Sequence, residues 1–486
     1  MLPDSILNET SLMVARRLGL DFPQNRWNDL ERGILLTARE LGLKETIHGI
    51  SEWLSANYLN SRELEILFTY LTVGETYFFR EKPGLDAFQK YIIPEIVRDR
   101  IGKEQFLRIW SAGCCTGEEP FTLAILLKEI IPNINKWNIT LLATDANTNF
   151  LKKAKKGIFS SWSFREIPKS VKNQYFLPAG KNWEVIPEIK KMVTFSSLNL
   201  AEDEYPSMLT NTNAMDVIFC RNVLMYFTPE QIKLVGQRFY KSLTDKGWFI
   251  PSSVELNDDY FSEFASQSVE KGIFYRKIPK TKVKLTSAVL NHPAPKLPIS
   301  KKHSILPKSK AKSIQITQAA IFSTENPSST NEVKTLYEKG LYQQCTEQCI
   351  LMLSTTPSDI PVLTFLAKSF ANMGKLDEAR HWGEKLISTD RTGADSYYLY
   401  ATILVEKNEP ETAESTLKRA LYLDPHHLLS HFLMGTIANR QGRKQVAVKH
   451  FKNVKELLSG MHENEVVPGS EGMTVGRINE LIEILL

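Results

Sequence analysis

Apolar positions follow three different rules along this chain of 486 residues. Over residues 1–72 they recur at helical spacing, most clearly from Leu30 to Leu41 and from Leu64 to Leu71, which predicts a small helical domain. From 73 to 278 short, continuous apolar runs take over. Phe106 to Trp110, Ile139 to Ala143 and Met215 to Cys220 read as buried strands, with amphipathic stretches such as Thr122 to Leu127 between them. That alternation predicts a doubly wound α/β domain, in which ligands bind beyond the carboxyl ends of the strands.

The third rule is a repeat of 34 residues over 329–461. Units beginning near 326, 360, 394 and 428 bring Cys345, Ala379, Ala413 and Ala447 into one column. Leu336, Phe370, Leu404 and Ala438 form a second column, and Cys349, Gly383, Leu417 and Phe451 a third. The pattern resembles the tetratricopeptide repeat, a helix-turn-helix unit, although the Trp of its first helix is absent. Small residues in the first column let the two helices of a unit approach closely. Cys345 and Cys349 have the i,i+4 spacing of a metal pair, but both fall in packing columns, so they are read as core. Four units imply a short all-α solenoid whose concave face holds a protein or peptide partner. The stretch 462–486, with Pro468, Gly469 and Gly472 ahead of the apolar Ile478 to Leu486, is expected to cap it.

Charge separates the two halves. The net charge is +5, yet ten Lys and no Asp or Glu fall between Lys277 and Lys312, so the rest of the chain is mildly acidic at about −5. With Pro279, Pro293, Pro295, Pro298 and Pro307 and little periodicity, 279–328 reads as an extended basic linker. Its charge either keeps a linker solvated or touches an anionic surface. No basic face interleaved with aromatics supports a nucleic-acid module, so no nucleic acid is expected as partner.

Candidate chemistry gathers at the end of the first strand, in Trp110-Ser-Ala-Gly-Cys-Cys-Thr-Gly-Glu-Glu-Pro-Phe121. Gly113 and Gly117 allow backbone to approach a ligand. The spacing is neither a dinucleotide fingerprint nor a phosphate loop. Glu118 and Glu119 stand where a pyrophosphate would meet the helix, and acid there suits a positively charged ligand. The same residues, with Pro120, are also ordinary helix-start chemistry worth about 0.3–1 kcal/mol per acid. Asp145 ends the second strand, placed either to accept hydrogen bonds from a ribose diol or to cap a helix over Asn147 to Lys156. Arg221 and Asn222 emerge from the third strand where the crevice should open. Upstream, Arg80 ends the aromatic cluster Gly74-Glu-Thr-Tyr-Phe-Phe-Arg80.

Five ordered blocks carry a resemblance: Glu75-Thr-Tyr-Phe-Phe-Arg-Glu81, Trp110 to Pro120, Ala143-Thr-Asp145, Phe195-Ser-Ser-Leu-Asn-Leu200 and Ile218-Phe-Cys-Arg-Asn-Val-Leu-Met-Tyr-Phe227. Over residues 10 to 278 the chain resembles the chemotaxis receptor methyltransferases of the CheR type. These transfer a methyl group from S-adenosylmethionine to receptor glutamates, leaving S-adenosylhomocysteine.

The resemblance implies an α/β Rossmann-like methyltransferase domain over 73–278, with the N-terminal helical domain packed over the crevice and a small β-subdomain inserted at 158–191. It assigns Thr76 and Arg80 to the methionine end of the cofactor and the reaction centre. Gly113 and Glu119 would hold the cofactor from the first turn, and Asp145 would take the ribose hydroxyls. Asn199, Leu200, Arg221 and Asn222 would frame the adenine and ribose side. Tyr226 would face the transferring methyl, with Arg80 orienting the substrate carboxylate. The family often has Asn at Gly74, so a contact there is missing. In some members the β-subdomain grips a receptor tail, and Arg26, Arg32, Arg39 and Lys44 of the helical domain would meet acidic receptor helices.

The implied function is methyl esterification of glutamates in the cytoplasmic domain of chemoreceptors, with the repeats docking a partner. Two alternatives stay open: a methyltransferase for another protein, and a catalytically weak cofactor-binding scaffold whose repeats carry the function. Five sparse cysteines suit a reducing compartment, and no Cys/His spacing reads as a metal site. Without a signal peptide or a long apolar run, the expectation is a cytoplasmic protein with no membrane insertion.

Overall fold

A computed structural model describes residues 2–43, 46–55, 59–102, 105–202, 205–278 and 330–486. The basic linker expected at 279–328 lies outside the described residues, as does Lys44. The chain opens with helices Asp4–Leu18, Trp27–Glu40, Ile47–Ser55 and Ser61–Leu71. Leu30 and Ile34 of the second helix and Leu67 of the fourth are fully buried, which accounts for the apolar spacing seen in the sequence.

Among the described residues ten strands follow: β1 (Phe106–Ala112), β2 (Asn138–Asp145), β3 (Ile158–Phe159), β4 (Phe176–Ala179), β5 (Asn182–Val185), β6 (Val193–Ser197), β7 (Met215–Cys220), β8 (Leu243–Pro251), β9 (Ala265–Val269) and β10 (Gly272–Arg276). Seven form one sheet in the order β6-β2-β1-β7-β8-β10-β9. The first five are mutually parallel, and β10 and β9 add an antiparallel edge. The order reverses at β1, which puts the crevice between the ends of β1, β2 and β7. Every residue of β7 is buried, as its unbroken apolar run requires. β3, β5 and β4 make a separate antiparallel sheet within the segment read as the small β-subdomain.

The C-terminal part is four antiparallel helix pairs. They are Thr330–Glu338 with Tyr342–Thr355, Ile360–Asn372 with Leu376–Thr389, Ala394–Glu406 with Pro410–Leu423, and Leu428–Arg440 with Lys444–Leu458. Cys345, Ala379, Ala413 and Ala447 are fully buried, and a Cβ on Gly383 would lie 2.6 Å from Tyr400 Cδ2. The small-residue column is thus buried in the repeat core, and Gly383 of the third column lets the next pair approach closely. A last helix, Val475–Leu485, follows.

The first helices of the pairs face other parts of the same chain. Met208, from the connection between β6 and β7, joins the apolar core formed with Leu363, Leu366 and Leu399. Leu209 packs on the next core, and Glu471 accepts hydrogen bonds from Tyr337 and Lys368 at 3.3 and 3.2 Å. The terminal helix does more than cap the solenoid: Arg477, 5% exposed, donates to the Ser197 carbonyl at the end of β6. Two apolar side chains from a turn-rich loop gave no periodic signal, which is why the sequence pattern did not reveal this packing.

Candidate active site

The turn after β1 is shaped by its glycines. Gly113 (φ +77°) and Gly117 (φ +98°) occupy the left-handed region, and the amides of Gly113 and Cys114 both donate to the Thr144 carbonyl at 2.8 Å. The turn thereby folds across the end of β2, and the helix Glu118–Ile130 leaves from Gly117. A cavity opens above it. Thr76, Arg80, Gly113, Glu119, Asp145, Asn199, Leu200, Arg221, Asn222 and Tyr226, scattered over 150 residues of sequence, all line this one cavity.

Adjacent acids at the helix start part company, because successive residues turn about 100° around the axis. Glu119 faces the cavity: it accepts from Ser111 Oγ at 2.7 Å and pairs with Arg221 Nε at 2.8 Å. Glu118 turns away. Its buried carboxylate accepts from Thr116 and from Ser163 of the inserted segment, and burial raises its pKa. The expectation that both acids front a cationic ligand is therefore corrected to Glu119 alone. Arg221 has two tasks, since its Nη1 also donates to the carbonyls of Arg80 and Glu81 at 2.7 and 3.2 Å. Its side chain thus ties the loop carrying Thr76 and Arg80 to the β1 turn. Arg80 itself is flanked by Phe79 (φ +60°) and Glu81 (φ +54°), both in the left-handed region, which costs about 1 kcal/mol or more per residue without Gly.

Asp145 is half-buried at the cavity wall, and desolvation pushes its pKa up to about 6 against the opposing effect of two backbone donors, Asn147 N and Cys115 N, each at 2.8 Å. A carboxylate has about four lone-pair sites, so acceptor capacity toward the cavity remains. It does not cap the following helix; Asn147 does, accepting from the amides of Asn149 and Phe150. Gly74 has a packing reason: a Cβ there would lie 2.7 Å from Phe150 Cζ, so that ring takes the space a larger side chain would need. Cys114 is buried and its thiol pKa is raised well above the ordinary value, consistent with packing rather than redox work.

Two further cavity residues were not expected there from the sequence. Phe22 and Arg26 reach in from the helical region, with Arg26 stacked over Phe22 at 4.6 Å and over Tyr226 at 5.5 Å. Arg26 is thus part of the roof rather than of an outer receptor-facing surface. Glu255 lies behind the wall and binds the turn that carries Asn222.

This geometry coincides with the span matched by the family "CheR methyltransferase, SAM binding domain", residues 74–268. Chemotaxis protein methyltransferase 2 of Vibrio cholerae is 36% identical over 224 residues, covering 46% of this chain and 76% of that protein. The chain belongs to the CheR chemotaxis protein methyltransferases. The Listeria innocua chemotaxis protein methyltransferase is 30% identical over 245 residues, covering 50% of this chain and 87% of that one. Residues 372–454 of the repeats match "Anaphase-promoting complex, cyclosome, subunit 3". Among solved structures, "MamA 41-end from Desulfovibrio magneticus RS-1" resembles 27% of this chain and 75% of that one at 20% identity, with a TM-score of 0.26, too low to bear on function.

This CheR protein is accordingly an S-adenosylmethionine-dependent protein methyltransferase with C-terminal tetratricopeptide repeats. Its cavity fits that cofactor chemically. Asn222 Oδ1 is buried and has no hydrogen-bond partner among the described residues, an acceptor left open in the wall. Asp145 retains acceptor sites for hydroxyls, Glu119 presents a carboxylate held by Arg221, and no lysine of a phosphate loop lines the cavity among the described residues.

Proposed function

We propose that this methyltransferase esterifies glutamate side chains of chemoreceptor cytoplasmic domains. The carrying observation is the cavity itself: Arg80 and Tyr226 share it with Asp145, Asn222 and Glu119, and none of its lining side chains among the described residues is a His or a Lys. Esterification of a carboxylate already ionised near neutral pH needs no strong general base. S-adenosylmethionine supplies a methyl group activated on a sulfonium. What the protein must add is alignment in a dry site, where effective molarities reach about 10⁵–10⁸ M.

In this reading Asp145 and Asn222 anchor the cofactor's polar groups, with Asn199 and Leu200 on its adenosine side. Thr76 lies at its methionine end. Glu119 holds Arg221, which fixes the loop bearing Arg80. Arg80 then presents its guanidinium to the incoming carboxylate and Tyr226 closes the opposite wall, neither of them moving a proton. Chemoreceptors are assigned as substrate from the chemotaxis methyltransferase relatives, and a protein or peptide is assigned as ligand of the repeats. A cytoplasmic location is consistent with the absence, among the described residues, of any helix long and apolar enough to cross a membrane.

Mass spectrometry of receptor cytoplasmic fragments incubated with enzyme and S-adenosylmethionine tests the assignment. Added methyl groups are expected on glutamates. Methylation confined to Lys or Arg, or to a protein other than a receptor, would contradict it.

A further inference from the structure

We propose that Glu255 is a positioning residue of the methyltransferase site, holding the turn 222–226 in the shape that cofactor binding requires; this rests on the crevice being the S-adenosylmethionine site. β8 ends at Pro251, and Ser252 and Glu255 close a capping box there. Glu255 Oε2 accepts from Ser252 N at 3.1 Å and Ser252 Oγ at 2.5 Å, which locks the side chain in place. The same carboxylate then reaches across to the neighbouring strand's exit. It accepts from Asn222 N at 2.9 Å, Val223 N at 2.7 Å and Met225 N at 3.2 Å.

Five donors meet one carboxylate that is part of a residue only 8% exposed. An ionised carboxylate offers about four lone-pair sites, so these bonds leave no capacity for a ligand. Glu255 is absent from the cavity lining, and it acts through the turn. The turn needs such an anchor. Asn222 has a left-handed backbone (φ +59°), and three successive or near-successive amides point the same way, a cluster of partial positive charge that an anion neutralises.

The turn carries three parts of the site. Asn222 presents its open Oδ1, Val223 presses on Gly113 so closely that a Cβ there would lie 2.4 Å from Val223 Cγ2, and Tyr226 forms the wall. On its far side the turn is joined to the helical roof: Asp21 N donates to the Tyr226 carbonyl at 2.7 Å, and Leu20 bridges Phe227. One buried carboxylate therefore sets the relation between the β1 turn, the cofactor wall and the roof. Glutamine in its place would turn an N–H toward backbone N–H groups.

The full-length chain carrying Glu255→Gln, Glu255→Asp or Glu255→Ala would be assayed for S-adenosylhomocysteine affinity by calorimetry. Thermal unfolding would be followed alongside, with kcat and KM on receptor fragments. Glu255→Gln is expected to fold, to weaken S-adenosylhomocysteine binding by about tenfold or more, and to lower kcat with KM for the receptor fragment little changed. Glu255→Asp should recover part of both losses. A folded Glu255→Gln protein with wild-type affinity would overturn the proposal. Failure of all three variants to fold would also overturn it, making Glu255 a folding residue only. Because the binding measurement needs no methyl acceptor, it decides the matter even if receptors prove not to be the substrate.

Discussion

Two buried polar clusters in this molecule close in opposite ways. Where the repeats meet the α/β sheet, Asn213 Nδ2 donates to both oxygens of Glu406 at 3.1 and 3.3 Å, while Asn138 donates to the Glu406 main-chain carbonyl at 3.1 Å. Arg108, itself buried, completes the set on Asn211 and Asn213. Donors and acceptors match, as they must in a permanent contact. In the crevice they do not: Asn222 Oδ1 is buried without a partner among the described residues, and Asp145 keeps open acceptor sites beside the Glu119–Arg221 pair. A closed polar network marks an interface, and an open one marks a place where something else must bind. The repeats are thus built onto the catalytic half rather than tethered beside it.

Mutations can break this distinction, and the largest effect is expected in the crevice. Arg221→Ala leaves Glu119 buried without its cation, so unfolding free energy should drop by about 3–5 kcal/mol in a urea titration. Cofactor binding should disappear with it. Asp145→Ala should weaken S-adenosylhomocysteine binding by about 1.5–3 kcal/mol by calorimetry while the fold persists. Glu406→Ala should do the reverse, lowering stability by about 1–3 kcal/mol through the unpaired Asn213 amide and leaving cofactor affinity unchanged. If Glu406→Ala instead weakened cofactor binding as much as Asp145→Ala, the closed network would be part of the site and the comparison would fail.

Acidity sharpens the same contrast. Burial lifts Asp145 from an ordinary 3.8 to about 6, so the folded protein holds a proton that the unfolded chain releases between those values. This group therefore favours folding below the window, and that contribution is lost as pH rises through about 6. Cofactor affinity should move oppositely, strengthening as Asp145 ionises around pH 6, and Asp145→Asn should flatten the profile. In the repeats, His450 faces His431 with Nδ1 atoms 2.9 Å apart, and Lys449 and Arg443 lie near. Burial, then His431 and those cations, lower its pKa from 6.5 to about 4. Protonation on unfolding should erode repeat stability as pH falls from 6.5 toward 4, an effect that His450→Phe should remove.

Sequence pattern read the strands, the glycine turn and the repeat columns because each is local: an apolar run, a pair of glycines, a fixed period. It also brought ten distant residues to one cavity, but through ordered blocks of family resemblance rather than periodicity. What stayed hidden is nonlocal. Glu255 is one acid after a strand, and nothing near it in sequence reveals that it collects amides from residues 222 to 225. Glu118 and Glu119 look alike in sequence and differ only by a helical rotation. Met208 and Leu209 follow a short turn-rich stretch, so their packing on the repeats had no periodic trace.

The central claim is tested most directly by transfer of radiolabelled methyl from S-adenosylmethionine to receptor cytoplasmic fragments, followed by mild alkali. Label on the receptor that leaves as volatile methanol is the predicted result, since a glutamyl methyl ester is alkali-labile. Label that resists alkali, or none on receptors although S-adenosylhomocysteine binds, would contradict it.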